Sequence, residues 1–192
     1  MIQIVIVGVG GQGTLLASRI LGHIAVASEL SAKVSEVHGM SQRGGSVITH
    51  VRIAGAGETV YAPLVEQGGA DVVLAFERLE ALRALPYLKK GGTVILNDQQ
   101  ILPMPVIIGS AEYLEDALER IKSSANTVAV DALSTAVKCG NAKAANVVML
   151  GVLSKLLPFE EQLFEDALRA CVKPAFIELN LAAFKAGRAL SD

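Results

Sequence analysis

The chain has 192 residues, of which 52% are hydrophobic and 19% are charged, and its formal net charge at pH 7 is −2. This length suffices for one α/β domain with a hydrophobic core and is short for two, so we expect a single domain over residues 1–192. The slightly negative charge, with no basic run, argues against a nucleic-acid-binding protein. The high apolar fraction indicates buried strands and a surface that a partner covers.

The cysteines and the apolar segments further restrict the class of protein and its cellular compartment. Cys139 and Cys171 are far apart and form no CxxC pair, which is typical of buried thiols in a reducing compartment and argues against an iron–sulfur or zinc site made by this chain alone. The N-terminal apolar stretch has no basic region before it and is interrupted by Gly8, unlike a signal peptide. The most apolar segment elsewhere, residues 144–157, is too short to span a bilayer. We therefore predict a cytoplasmic protein without membrane contact.

The first thirty residues predict a strand, a glycine turn and a helix. Residues 2–7 form an apolar, β-branched run, which is typical of a central strand covered by helices on both faces. A helical pattern follows over residues 14–30. The turn between them contains Gly8, Gly10, Gly11, Gln12 and Gly13.

Strand, turn and helix together fit the GxGxxG pattern that opens a βαβ unit of a dinucleotide-binding domain. Glycine permits the tight turn and a close approach of another molecule, and the free N–H groups at the helix start attract an anion. We predict that this turn is a ligand-binding or interface loop. The alternative is that its glycines serve only turning and helix packing.

A second strand, predicted at residues 32–37, leads into a loop that is dense in polar groups. The loop comprises His38, Gly39, Met40, Ser41, Gln42, Arg43, Gly44 and Gly45. It lies just beyond the carboxyl end of a strand, where α/β sheets bind their ligands. The guanidinium of Arg43 is suited to bind a carboxylate or a phosphate. We predict that this loop contacts a ligand or a neighbouring subunit, with a solvated surface loop as the alternative.

The remaining pattern alternates strands with helices. A third strand at residues 46–53, a turn at 55–58 and a short strand at 59–61 predict a hairpin. Further strands are predicted at residues 71–77, 93–96 and 127–130. Helices are predicted at residues 78–88, 111–121, 141–157, 160–172 and 175–190. Lys89 to Gly92 are predicted to end the helix at 78–88. The fold class is therefore α/β: a doubly wound, Rossmann-like three-layer domain whose mostly parallel sheet has an antiparallel feature and whose C-terminal end is helical.

No motif assigns a catalytic residue or a metal site. His50 on the third strand is interpreted as a structural histidine, and His23 in the first helix as a packing residue. Glu77 closes a buried strand and either faces the ligand crevice or caps the next helix. Glu36 lies near the end of the second strand, where a dinucleotide-binding protein places the acid that holds a ribose. The sequence contains no GxxxxGK[ST] phosphate loop and no nucleophile elbow.

Several motifs together resemble a known family. The glycine turn from Gly8 to Gly13, the stretch from Val37 to Val47 and His50-Val51-Arg52 are similar to the gamma-type domain of 2-oxoacid:ferredoxin oxidoreductases. Within that family, Gly39-Met40-Ser41-Gln42-Arg43-Gly44-Gly45 resembles a stretch in the small (beta) subunits of the indolepyruvate enzymes. Weaker similarity continues through residues 132–140 and 146–151. The resemblance therefore spans most of the chain.

The resemblance implies a role within a larger enzyme. The holoenzymes of this family oxidatively decarboxylate arylpyruvates, transfer the acyl group to coenzyme A and reduce ferredoxin. Their thiamine diphosphate, Mg²⁺ and [4Fe–4S] clusters belong to a large partner subunit, so this chain alone is expected to bind no cofactor and to be inactive. The alternatives are an autonomous NAD(P)-dependent oxidoreductase and a nucleotide-binding regulatory module, both of which would use the same glycine turn.

Overall fold

The computed structural model describes residues 1–39 and 44–190, which form a six-stranded sheet with helices on both faces. The strands are β1 (Ile2–Val9), β2 (Ala32–His38), β3 (Ser46–Ile53), β4 (Ala70–Ala75), β5 (Leu88–Asn97) and β6 (Asn126–Val130). The helices are α1 (Thr14–Ala27), α2 (Arg78–Ala84), α3 (Met104–Ile107), α4 (Ala117–Ser124), α5 (Ala132–Lys138), α6 (Ala145–Ser154), α7 (Glu161–Cys171) and α8 (Ile177–Ala189). This architecture confirms the predicted three-layer α/β fold.

Strand β1 lies inside the sheet, as its apolar run predicts. Ile4 and Ile6 point into the core beneath α1, whereas Val5 and Val7 point into the opposite core beneath α2. All four side chains are buried, because alternate residues of a strand face opposite sides of the sheet and helices cover both sides here. The glycine turn therefore starts from a rigid central strand.

The antiparallel feature of the sheet is β3. The strand order is β2-β3-β1-β4-β5-β6, and β3 runs antiparallel to both of its neighbours, whereas β1, β4, β5 and β6 are parallel. The predicted hairpin with a strand at residues 59–61 is wrong, because β1 and β2 already occupy both edges of β3. Val60 is instead buried in a loop, and its N–H group donates to the Ser31 hydroxyl at 3.1 Å.

The predicted helix end at Lys89 to Gly92 is also wrong, since these residues belong to β5. Ala70 pairs with Leu88 and Val72 pairs with Thr93, so the four residues from Lys89 to Gly92 bulge opposite Asp71 alone. Gly91 has a φ of 79°, which favours glycine and permits the bulge. The preceding helix α2 already ends at Ala84, and Pro86 follows in a short 3₁₀ turn. The helix predicted at residues 111–121 begins later in the structure, where it is α4 (Ala117–Ser124).

The C-terminal helices pack on the α1 side of the sheet. Asn141 caps the short 3₁₀ turn before α6 by accepting a hydrogen bond from Lys143 N at 2.9 Å. Helices α6 and α8 cross in close contact at two glycines. A Cβ atom added at Gly151 would overlap the carbonyl oxygen of Phe184, and one added at Gly187 would overlap that of Val148. The backbones of the two helices therefore touch directly.

The described residues contain neither a membrane-spanning helix nor a cluster of metal-binding side chains. None of the helices in residues 1–39 and 44–190 is long and apolar enough to cross a membrane. Over the same ranges, no group of three or more His, Cys, Asp or Glu side chains is arranged to hold a metal ion.

Candidate functional site at the carboxyl edge of the sheet

The glycine turn and the polar loop after β2 meet at the carboxyl ends of the strands. Gly10 N donates to Gly45 O at 2.8 Å, and Gly44 N donates to Gly10 O at 3.3 Å. His38 ends β2 with an exposed side chain, and one of its ring nitrogens lies 3.0 Å from Gly39 O. The structure thus brings together the described parts of the two predicted loops.

The other four residues of the polar loop, Met40, Ser41, Gln42 and Arg43, lie outside the described residues. Their predicted contact with a ligand or a subunit therefore stays a prediction. Gly44, which follows them, has a φ of 76°, a conformation that favours glycine.

Gln12 fixes the shape of the glycine turn. Its Oε1 accepts a hydrogen bond from Val9 N at 2.7 Å, and its Nε2 donates to Phe76 O at 2.9 Å and to Gln99 Oε1 at 3.3 Å. Gly8 is required beside it, because a Cβ atom there would lie 2.9 Å from Gln12 Oε1 and 3.2 Å from Phe76. The amide therefore ties the end of β1 to the end of β4, across the point where an open α/β sheet usually admits a ligand.

Asn97 extends this network of amides to β5 and β6. Its Nδ2 donates to Phe76 O at 3.2 Å and to Gln99 Oε1 at 3.0 Å, and its Oδ1 accepts from Ala132 N at 3.0 Å. Asn97 is buried, so each of these bonds satisfies a polar group that has little access to water. Asn97 and Gln99 were not predicted as site residues, although Asn97 directly follows the strand predicted at residues 93–96.

The start of α1 is held by Asn146 of α6. Gly13 has a φ of 88°, the helix has no side-chain N-cap, and Asn146 Nδ2 donates to Gly13 O at 3.3 Å.

Two pockets lie beside the glycine turn. The side of the turn towards β2 borders a pocket of about 360 Å³, and the side towards α6 borders another of about 410 Å³. Asn146 lines the second pocket with Lys143.

We expect Gly13→Ala to destabilise the domain more than Gly11→Ala. Both glycines have positive φ, with values of 88° and 105°, so alanine is strained at either position. A Cβ atom at Gly11 would meet open space, whereas one at Gly13 would overlap Asn146 Nδ2. Gly11→Ala should cost about 1–2 kcal/mol from strain alone, and Gly13→Ala more. Urea unfolding of the two variants tests the order, and equal costs would contradict the proposed contact.

Glu36 does not occupy the position of a ribose-binding acid. Its Oε2 accepts hydrogen bonds from Thr14 Oγ1 at 3.3 Å and Thr49 Oγ1 at 3.2 Å, so the carboxylate joins the start of α1 to β3. In a dinucleotide-binding domain the strand next to β1 carries the acid. Here the antiparallel β3 takes that place, so Glu36 lies on the second strand from β1. The strand order therefore differs from that of a dinucleotide-binding domain, although the Glu36 carboxylate borders the same pocket as the glycine turn.

Glu77 caps α2 and also fixes a distant segment. Its buried carboxylate accepts hydrogen bonds from Glu80 N at 2.9 Å, Ile101 N at 3.3 Å and Tyr113 Oη at 2.7 Å. The sequence allowed two roles for Glu77, a helix cap or a position at the ligand crevice. The structure shows the helix cap, and Glu77 also lies at the carboxyl edge of the sheet. Tyr113 was not predicted, because its partner is 36 residues away.

The Tyr113–Glu77 contact makes stability sensitive to alkaline pH. Burial and the Glu77 hydrogen bond raise the pKa of Tyr113 above its ordinary value. The folded state therefore retains this proton after the unfolded chain, whose tyrosines titrate near pH 10, has lost it. The stabilisation is complete below about pH 10 and decreases as the pH rises further. We expect ultraviolet titration to show one late-titrating tyrosine, absent in Tyr113→Phe, and this variant to unfold with a shallower alkaline pH dependence.

Two histidines and the two cysteines differ in how far they are buried. His50 is buried, its Nδ1 accepts from Val65 N at 3.2 Å, and burial lowers its pKa, which confirms the structural interpretation. His23 is exposed on α1, so its assignment as a packing residue is wrong. Cys139 and Cys171 are free and only partly buried, and burial raises the pKa of the Cys171 thiol.

Comparison with known proteins defines the family. A family model described as pyruvate ferredoxin/flavodoxin oxidoreductase matches residues 3–190. The indolepyruvate oxidoreductase subunit IorB of Thermococcus kodakarensis is 44% identical over 191 residues, which cover 96% of this chain and 93% of the relative. This chain therefore belongs to the pyruvate ferredoxin/flavodoxin oxidoreductase family, as the glycine turn and the polar loop predicted.

Solved structures show the same fold. The gamma subunit of a keto/oxoacid ferredoxin oxidoreductase from Geobacter sulfurreducens superposes with a TM-score of 0.74 and 24% identity, covering 100% of this chain and 98% of that one. The 2-oxoglutarate:ferredoxin oxidoreductase of Magnetococcus marinus gives a TM-score of 0.77 and 21% identity, covering 99% of this chain but 31% of that one. The fold thus occurs both as a separate subunit and as part of a longer chain. None of these comparisons supports an autonomous NAD(P)-dependent enzyme.

Proposed function

We propose that this chain is the small subunit of an indolepyruvate-type ferredoxin oxidoreductase and completes the active-site cleft of a large subunit. The observation that carries the proposal is the 44% identity to an indolepyruvate oxidoreductase subunit over nearly the full length of both chains. The holoenzyme would convert an arylpyruvate and coenzyme A into acyl-coenzyme A, CO₂ and a proton, and would transfer the two electrons to ferredoxin.

In this proposal the redox chemistry belongs to the large subunit. A [4Fe–4S] cluster takes four cysteine ligands, whereas this chain has two distant cysteines, so we assign the clusters, thiamine diphosphate and Mg²⁺ to the partner. The role of this chain is positional: Gln12 and Asn97 hold the carboxyl edge of the sheet, and this edge presents the glycine turn and the polar loop. Coenzyme A and ferredoxin would act as co-substrates of the assembled enzyme.

Reconstitution tests the proposal. The purified chain should show no oxidation of indolepyruvate with coenzyme A and a low-potential electron acceptor, and turnover should appear when the large iron–sulfur subunit is added. The isolated chain should also fail to bind NADH or NADPH at micromolar concentration. Steady turnover by the lone chain, or a redox cofactor that purifies tightly with it, would refute the proposed role.

Arg43→Ala should lower turnover of the assembled enzyme or weaken its assembly without unfolding the chain. A hydrogen bond from a guanidinium to an anionic group contributes about 1.5–3 kcal/mol, equivalent to a loss of roughly ten- to hundredfold. Kinetics and pull-down of the complex give the readout, and Arg169→Ala, which removes an exposed guanidinium on α7, is the matched control. If activity and assembly both stay at wild-type values, Arg43 has no contact function.

A further inference from the structure

Large apolar side chains are exposed on the segment between β5 and α4. We call residues 101–112 the apolar finger. Leu102, Met104, Ile107 and Ile108 lie in it and are 46–68% exposed. An exposed apolar cluster of this kind marks a site of interaction.

The structure fixes the finger at both ends. Glu77 accepts a hydrogen bond from Ile101 N at its start and one from Tyr113 Oη just beyond its end. The Glu77 carboxylate is 1% exposed, so these bonds are shielded from water. The exposed apolar side chains are thus carried on an anchored segment, and a partner that binds them has less conformational entropy to remove.

A cavity of about 530 Å³ lies beneath the finger. Its walls are formed by the finger, by α2, by Gly44 and Gly45 at the end of the polar loop and by Ser46 at the start of β3. Apolar side chains such as Leu79, Met104 and Val106 line it. A cavity of this size with apolar walls and a few polar groups is suited to receive side chains of another molecule.

The charges that line the cavity are mainly negative. They are the carboxylates of Glu77, Glu80 and Glu112 and the guanidinium of Arg83. Arg83 Nη1 lies 2.8 Å from Glu80 Oε1, so these two charges offset each other. Among the described residues, Glu77 and Glu112 have no cationic partner, which leaves the cavity with an excess of negative charge. A group that complements this cavity therefore carries a positive charge and is surrounded by apolar side chains.

We propose that the apolar finger and this cavity dock on the large subunit, where they receive a segment that presents an arginine or lysine among apolar side chains. The inference rests on the proposed function and adds the surface that makes the contact. The exposed finger would supply the apolar area of the interface, and the carboxylates would select the cation. Arginine and apolar side chains are both common in the cores of interfaces.

Binding of purified variants to the large subunit tests the inference. Ile107→Asp and Ile108→Asp should each weaken the complex about tenfold or more, because each places an unpaired charge in an apolar contact. Glu112→Lys should weaken it through charge repulsion, and this loss should decrease as the salt concentration rises. All three side chains are exposed, so we expect thermal unfolding of the isolated variants to match that of the wild type.

Matched controls lie at the amino ends of the parallel strands, away from the finger and the cavity. Tyr61→Asp is the control for the aspartates and Glu66→Lys for the charge reversal, since both positions are exposed and lie in the loop after β3. Both should bind the large subunit as the wild type does. Unchanged binding by all three finger and cavity variants overturns the inference, as does an equal loss in the controls. If the wild-type chain itself binds no large subunit, the proposed function fails instead.

Discussion

Replacing Gly187 with alanine is expected to lower the free energy of unfolding by about 3 kcal/mol, at the upper end of the cost of overpacking a core. The added Cβ atom would overlap the carbonyl oxygen of Val148. A backbone atom has no rotamer through which to move away, so helices α6 and α8 would have to separate. Separation would also disturb Phe184, whose ring stacks on that of Phe164 with the centroids 5.5 Å apart.

Gly22→Ala is the matched control for this prediction. Gly22 lies within α1, and a Cβ atom there would be 3.8 Å from Val34 Cγ2, an ordinary packing distance. Since glycine disfavours a helix by about 0.5–1 kcal/mol relative to alanine, this variant should be as stable as the wild type or more stable. Urea unfolding of the three proteins provides the comparison. Equal stabilities for Gly187→Ala and Gly22→Ala would contradict the close contact of the two helices.

Glu77→Ala should also cost about 3 kcal/mol, the combined effect of a lost helix cap and of buried donors left without an acceptor. The buried carboxylate serves Glu80 N, Ile101 N and Tyr113 Oη together. Removing it leaves these three donors with a cavity in place of their acceptor. We expect cooperative unfolding at lower urea concentration and faster amide hydrogen exchange in residues 98–113.

Two further variants separate the contributions of Glu77. Glu77→Gln keeps an acceptor for the helix cap but loses the charge, so it should cost less than Glu77→Ala. Tyr113→Phe removes one of the three bonds, and in the Glu77→Ala background it should have a smaller effect than in the wild type, because the two residues act together. Additive losses in this double-mutant cycle would show that the Glu77–Tyr113 bond contributes nothing to stability.

The sequence predicted the elements that depend on local pattern. The apolar run of β1, the tight glycine turn after it and the helix that follows depend on residue types within thirty positions. The position of Glu77 at the end of a strand allowed two roles, a helix cap or a place at the ligand crevice, and the helix cap is present. These features need no knowledge of distant contacts, and the structure has them as predicted.

Two of the errors share a cause, which is pairing between distant segments. Residues 59–61 have strand-forming composition but no free strand to join. Lys89 to Gly92 resemble a helix end, yet they bulge from β5 because Thr93 is in register with Val72. Gln12 was predicted only as part of a ligand-binding or interface loop, and no local pattern indicated that its amide joins two strands. The bond from Gln12 to Phe76 joins residues 64 positions apart, which local sequence pattern does not reveal.

The position of β3 has a consequence for synthesis on the ribosome. Strand β2 pairs with β3 alone, and β3 pairs with β1, so β2 has no sheet to join until residues 46–53 have been made. The nascent chain up to residue 45 therefore contains a strand, a helix and a second strand that are unable to form the usual parallel pair. Folding of this end must wait for the later insertion of β3 between them, and chaperones that bind exposed apolar segments would meet the growing polypeptide during that interval.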